Sequence, residues 1–284
     1  MGEMIKIAAM GDNVVDCYAA NGKMYPGGNT LNAAVFISRF GGQSAYVGCV
    51  ADDPAGRHIR STLKAEGVDI SHLQMLKEGM TAYCVIGHDD GDRVFLTFDL
   101  GVSMFAPDSN ALDFVGGFDA VHIGRSSGLD GFLEAVAGRT RLSYDFSTSR
   151  DIDHIRAVAP LCYLAVGSGG GLDEDEVFAL QKSMLVAGAK WALVTRGKSG
   201  AVLSNGGAVH SVAAVPTEIV DTLGAGDTFA ARTLYGLLKG EEPDIALKAA
   251  AQAAADTCRY YGAVGHGVPI DIGAKVPELA STSA

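Results

Sequence analysis

The string Asp221-Thr222-Leu223-Gly224-Ala225-Gly226-Asp227 constrains this chain more than any other. A β-branched, apolar segment, Glu218-Ile219-Val220, precedes it. Beyond it, Phe229, Thr233, Leu234, Leu237 and Leu238 recur at helical spacing until Gly240 and Pro243 stop the pattern. The two glycines therefore sit where a helix begins. The first N–H groups of a helix have no intrahelical acceptor and stand at the positive end of its dipole. Glycine leaves them uncovered, so an anion can reach them directly. Asp227 falls in the first turn beside that site. An anion cradle with a fixed carboxylate alongside suits transfer of a phosphoryl group to a hydroxyl. The dipole also favours the charged form of Asp227, which predicts a carboxylate of low basicity.

A bare Gly-x-Gly-Asp would signify little, because Asp is favoured at helix starts anyway. A dinucleotide fingerprint is disfavoured by Phe229, which stands where its third glycine would be. A second glycine-rich string, Pro26-Gly27-Gly28-Asn29-Thr30-Leu31-Asn32-Ala33-Ala34, leads into a helix through Val35-Phe36-Ile37 that Gly41-Gly42 stops. Its Gly-Gly loop lets a ligand lie close to the backbone. Asn29 offers a donor and an acceptor to sugar hydroxyls, with Asn32 one turn on; the plainer reading makes Asn29 a helix N-cap. Ahead of it, Ile5 to Met10 reads as a buried strand ending at Gly11-Asp12-Asn13, where open α/β sheets place ligands. Asp12 either hydrogen-bonds a polyol there or closes an Asx turn.

In their order and separation, the two strings resemble the two signatures of the ribokinase-like (phosphofructokinase-B) sugar kinases. The resemblance implies a doubly wound, mainly parallel α/β sheet flanked by helices, with a small β-sheet lid. It implies ATP and Mg²⁺, with Asp227 as catalytic base and the Gly224, Ala225 and Gly226 amides as anion hole. Asp12, Gly28, Asn29 and Asn32 would hold the sugar. Thr195-Arg196-Gly197-Lys198-Ser199-Gly200 resembles the family's nucleotide turn, which assigns Thr195, Gly197 and Gly200, with Ser168, to the nucleotide. It is not a P-loop, since Ala192 stands where the first glycine would be. The alanine-rich helix from Ile245 to Tyr260 is either a packing surface or the adenine wall the resemblance suggests, and at Gly262 to Gly265 some relatives hold a monovalent cation.

The chain departs from the family at two places. Arg232 replaces a small residue, and either crowds its helix or supplies a surface charge. Relatives often carry Asn-x-x-Glu after the strand that here ends in Val166, to organise Mg²⁺ through water. This chain has Ser168-Gly169-Gly170-Gly171, then Asp173, Glu174, Asp175 and Glu176. Either Glu174 or a neighbour substitutes, or Mg²⁺ is held mainly by nucleotide phosphates and water, and the acidic run equally suits a plain helix N-terminus; the metal ligands stay open.

Strand and helix patterns alternate from Ser44 to Thr195, as a parallel sheet covered on both faces requires. Residues 1–273 read as one domain and 274–284 as a loose tail. Two hairpins, at about 13–26 and 80–100, would form a four-stranded lid whose outer face pairs with a second copy. Arg93 on that lid reaches a substrate carboxylate or is a solvated charge. With 284 residues, an apolar fraction of 48% and a net charge of −11, the chain suits a globular core and no nucleic-acid or anionic-membrane partner. The N-terminus shows no signal peptide, no apolar run approaches roughly 18 residues, and five scattered cysteines fit reduced thiols in the cytoplasm. The seven histidines show no ligand spacing and read as surface or strand-end residues.

The local strings at Gly11-Asp12-Asn13, Pro26 to Asn29, Asp92-Arg93-Val94-Phe95 and Asp145-Phe146-Ser147 resemble the fructoselysine 6-kinase branch. That implies a fructosamine phosphorylated at its terminal hydroxyl, with Asp16 or Asp99 meeting the amine and Arg93 the carboxylate. Another ketose or a nucleoside is the alternative within the family. Outside it stand a catalytically weak sugar-binding protein and a dinucleotide-dependent oxidoreductase.

Overall fold

A computed structural model describes residues 4–89 and 92–273. The expected tail at 274–284 and the hairpin tip at Asp90-Gly91 lie outside the described residues, as do the side chains of residues 88–95, Arg93 among them.

The chain opens with β1 (Lys6–Met10), β2 (Val14–Tyr18), β3 (Lys23–Gly27), α1 (Asn29–Arg39), β4 (Gln43–Ala51), α2 (Pro54–Ala65) and β5 (Leu73–Leu76). It continues through β6 (Tyr83–Asp89), β7 (Asp92–Asp99), α3 (Ser109–Val115), β8 (Ala120–Gly124), α4 (Leu133–Ala137), β9 (Arg141–Asp145) and α5 (Ile152–Val158). Then come β10 (Cys162–Ser168), α6 (Glu174–Ala187), β11 (Trp191–Thr195), β12 (Ala201–Ser204), β13 (Val209–Val212), α7 (Ala225–Leu238), α8 (Pro243–Thr257) and β14 (Val268–Pro269).

The main sheet runs β13-β12-β11-β10-β9-β8-β1-β4-β5 and is parallel from β11 to β5. Side chains alternate across a strand, and here the alternation sorts them into two cores. On β1, Ile7 and Ala9 join α1, α2, α7 and α8, while Ala8 and Met10 join α3 to α6. Leu193 on β11 faces the first core and Ala192 and Val194 the second. A strand buried on both faces reads as a continuous apolar run, which is why the parallel part was legible. The two antiparallel strands β12 and β13 extend the sheet past Thr195, where the alternating pattern had ended.

The small sheet has five strands in the order β14-β3-β2-β6-β7, not four. Its extra strand, Val268–Pro269, is too short to carry a sequence pattern. The segment Glu218-Ile219-Val220 forms no strand; Ile219 is exposed, and Val220 bonds through its N–H to the Cys258 carbonyl. Asp221 joins the pieces instead. Its carboxylate accepts hydrogen bonds from the Leu223 and Gly262 amides, both at 3.0 Å, and from the Tyr18 hydroxyl on β2. The cysteines are free, and Cys17, Cys49, Cys84 and Cys162 are buried. Among the described residues no helix is long and apolar enough to cross a membrane.

Candidate active site

The carboxyl ends of β8 to β11 and the start of α7 enclose a pocket of about 260 Å³. Asn29, Arg125, Asp145, Ser168, Thr195, Gly226 and Asp227 are among the residues that line it. Gly224 caps α7 with φ of +77°, and a Cβ there would lie 2.3 Å from that of Ala263, so only glycine fits. The Ala225 N–H makes a long 3.4 Å bond to the Thr222 carbonyl. Those of Gly226 and Asp227 have no acceptor among the described hydrogen bonds. A Cβ on Gly226 would meet nothing within 4 Å. Open donors therefore face the pocket at the positive end of α7.

Asp227 is gripped from α1. Asn29 Nδ2 donates to its Oδ1 at 2.9 Å and Asn32 Nδ2 to its Oδ2 at 2.7 Å. The same Asn29 nitrogen donates to Asp145 Oδ2 at 2.9 Å, and Asp145 Oδ1 accepts the Ser147 N–H at 2.7 Å. Behind Asn29, its Oδ1 lies 3.1 Å from His122 Nε2, and His122 Nδ1 lies 2.9 Å from Ser143 Oγ. Two carboxylates need both amide hydrogens of Asn29, so its oxygen must face His122. His122 then carries its proton on Nε2 and accepts from Ser143. Burial pulls the imidazole down to about 4, which keeps it neutral.

Burial pushes the Asp227 carboxyl up to about 7, and the Asp145 carboxylate adds to the rise against the bonds from Asn32 and Asn29. Burial likewise raises Asp145 to about 6. The expected low basicity of Asp227 is thereby overturned. A helix dipole contributes about 1 kcal/mol at such a position, less than one pKa unit, and burial of the carboxyl, with the Asp145 charge added, outweighs it.

The two asparagines also depart from expectation. Asn29 is the first residue of α1, whose N-cap is Gly28 at φ +108°. The amides of Asn29 and Asn32 are directed at carboxylates, and Asn32 is buried outside the pocket lining. Asp12 is neither a local Asx turn nor part of that lining. It caps α1 from the end of β1, accepting Asn29 N–H at 2.9 Å, Ser127 Oγ at 2.9 Å and Thr30 Oγ1 at 3.2 Å. Ser168 and Thr195 reach the pocket, whereas Gly197 and Gly200 do not. A Cβ on Gly200 would lie 1.8 Å from the Val212 carbonyl, so this glycine serves the join to β13.

Among the described residues no group of three or more His, Cys, Asp or Glu side chains could hold a metal. Asp173 and Glu176 are locked in a reciprocal capping box at the start of α6, and none of the acids at 173–176 lines the pocket. The acids at 173–176 are therefore not placed to hold magnesium, and the carboxylates that line the pocket are those of Asp145 and Asp227. Arg232 neither crowds α7 nor lies free on the surface. It makes a paired bond to Glu241 at 2.9 and 3.1 Å beside Phe40 and Tyr235. The sequence reading missed Arg125, Asp145 as a site residue, and His122, which is buried within β8 rather than at a strand end.

The sequence profile described as pfkB family carbohydrate kinase matches residues 1–148 and 164–270. The chain is 38% identical over 270 residues to fructosamine kinase FrlD of Bacillus subtilis, covering 93% of this chain and 95% of that protein. It is 34% identical to fructoselysine 6-kinase of Escherichia coli, covering 92% and 100%. The fold matches an Arabidopsis thaliana ribokinase solved with ribose and ATP, with a TM-score of 0.81 at 19% identity over 92% and 95% of the chains. The chain belongs to the pfkB family of carbohydrate kinases and is an ATP-dependent sugar kinase.

Proposed function

We propose that the chain phosphorylates the terminal primary hydroxyl of a ketose of the fructosamine type. The observation that carries this is the Asp227 carboxylate, fixed by Asn29 and Asn32 beside the open amides of Gly226 and Asp227. The names of the two curated relatives support the acceptor class.

In this reading the acceptor hydroxyl oxygen attacks the γ-phosphorus of ATP. Its proton passes to Asp227 Oδ, the γ-phosphorus–oxygen bond to the β-phosphate breaks, and ADP leaves with that electron pair. Such transfers gain most from position and charge neutralisation. The α7 amides meet charge on the transferring group, because they point where it develops and need no reorganisation. A base near neutrality suits a proton passed late in the reaction. Ser168 and Thr195, which line the pocket at the ends of β10 and β11, are assigned to the nucleotide in this reading. Magnesium, where bound with ATP, would neutralise charge on the triphosphate.

The small sheet acts as the lid that excludes water from the acceptor. Its edge strand β7 exposes Leu96 and Phe98 around a bulge in the β6–β7 ladder, and these apolar side chains on a sheet edge support pairing with a second copy through the lid.

The test is Asp227→Asn. We expect kcat for fructosamine phosphorylation to fall at least 1000-fold, roughly 4 kcal/mol of barrier, with ATP binding retained in calorimetry. A variant with near-wild-type kcat overturns the assignment.

A further inference from the structure

Arg125 and Asp145 sit side by side at the mouth of the pocket. Gly124, at the end of β8, pairs in register with Asp145 at the end of β9, and Arg125 is the next residue. Both line the pocket, where Arg125 is the one cation among the described lining residues. Neither neutralises the other: no ion pair joins them, and Arg125 makes no described hydrogen bond to a carboxylate. Asp145 spends one acceptor position on Asn29 and one on the Ser147 amide, which leaves lone pairs on both oxygens. Opposite charges on adjacent strand ends, unpaired with each other, are arranged for a ligand that brings both signs.

Their place relative to ATP matters. Thr195, on the nucleotide side, ends β11, three strands from β8 in the sheet. At the usual strand spacing that separation is roughly 14 Å. Arg125 and Asp145 thus stand at the β8–β9 end of the pocket, away from Thr195, and in the proposed reading that end takes the acceptor. A neutral hexose can accept hydrogen bonds from an arginine there but brings no charge to balance it. It also leaves Asp145 and Asp227 as two neighbouring carboxylates sharing a single amide donor. A ketosamine brings an ammonium that relieves their repulsion, and an amino-acid conjugate adds a carboxylate for the guanidinium.

We infer that Asp145 and Arg125 are the specificity-determining residues of the acceptor site, Asp145 reading the ammonium of a ketosamine and Arg125 the carboxylate of its amino-acid part. This rests on the fructosamine reading above. It differs from the expectation from sequence, which gives the amine to Asp16 or Asp99 and the carboxylate to Arg93, whose side chain lies outside the described residues. Asp16 is buried, its Oδ2 2.1 Å from where a Cβ on Gly27 would lie, and Asp99 accepts the Gly101 N–H at 2.8 Å.

The experiment adds one charge at a time. ADP release is measured with fructose, fructosylmethylamine and fructosylglycine for wild type, Asp145→Asn, Arg125→Gln and Arg125→Lys. Ratios of kcat/KM between substrates are compared within each protein, which cancels any general loss of activity. In wild type each added charge should raise kcat/KM about tenfold or more. Asp145→Asn should flatten the first step, Arg125→Gln the second, and Arg125→Lys should restore part of the second. Steep wild-type ratios that survive in the variants overturn the residue assignment. So does an Arg125→Gln defect that appears equally in the KM for ATP. Flat wild-type ratios with turnover of all three overturn the charge reading but leave a ketose kinase. Turnover of none, with ADP release on another sugar or a nucleoside, overturns the fructosamine reading itself.

Discussion

His122 Nε2 donates to Asn29 Oδ1 at 3.1 Å, and that bond decides which way the amide of Asn29 points. Turned over, Asn29 would aim an oxygen at two carboxylates. An imidazole with no partner but Ser143 on its other nitrogen is therefore what commits the amide hydrogens to Asp145 and Asp227.

Replacement of His122 by Phe should lower kcat/KM about tenfold, near 1.4 kcal/mol, while Gln, which can still donate to Asn29, should recover most of it. The tautomer is directly observable. Nitrogen-15 spectra of the wild type should show a proton on Nε2 and no titration of this ring above about pH 5, as its depressed value of about 4 requires. A ring that titrates near 6.5 contradicts the arrangement.

The raised carboxyl of Asp227 fixes the acid side of the pH profile. With the base near 7, kcat/KM should fall tenfold per pH unit well below that value. Asn32 holds the ionised form, so Asn32→Ala should move the acid limb to higher pH. A limb unmoved by this substitution would show that the Asn32 bond, drawn at 2.7 Å, does not act on the charged carboxylate.

The same displacement links pH to stability. Asp227 in the fold holds its proton to about 7, whereas an unfolded aspartate releases it near 3.9. The fold's extra proton affinity contributes fully below the unfolded value and is lost as pH rises through the folded one. Wild type therefore carries the burden of an ionised buried carboxylate at pH 8 and not at pH 4. The Tm of Asp227→Asn minus that of wild type should rise by roughly 5 °C between pH 5 and pH 8. A difference that is constant or falls over that range reverses the sign and rejects the shift.

Much of this was legible locally. The glycines of residues 224–226, the helix after them and the apolar parallel strands each declare themselves within a few residues, because helix starts and doubly buried strands have their own composition. What escaped is tertiary. His122 meets Asn29 across 93 positions, and nothing near either residue signals the pairing. Asp12 caps α1 from 17 residues away, so it read as a sugar ligand or a turn. Asp227 read as a weak base because the dipole belongs to its own helix, while the burial and the Asp145 charge that outweigh it come from other strands.

Arg232 illustrates a departure that the fold absorbs. It meets Glu241 through two bonds in a site where both side chains are about one-sixth exposed, at 14% and 17%. Gly236 makes the room, since a Cβ there would lie 2.6 Å from Glu241 Oε2 and 2.8 Å from the guanidinium. A pair this enclosed costs more to break than to replace, because truncating one partner strands the other charge. Glu241→Ala should therefore lose about 2 kcal/mol, a Tm fall of roughly 4 to 6 °C, and Gly236→Ala should be comparably harmful through the clash. The double variant Arg232→Leu with Glu241→Leu should recover most of that loss, as apolar side chains fill the space against Phe40 and Tyr235. A thermal melt in which Glu241→Ala matches wild type, or in which the double variant is worse than the single, would place the pair among the weak surface contacts instead.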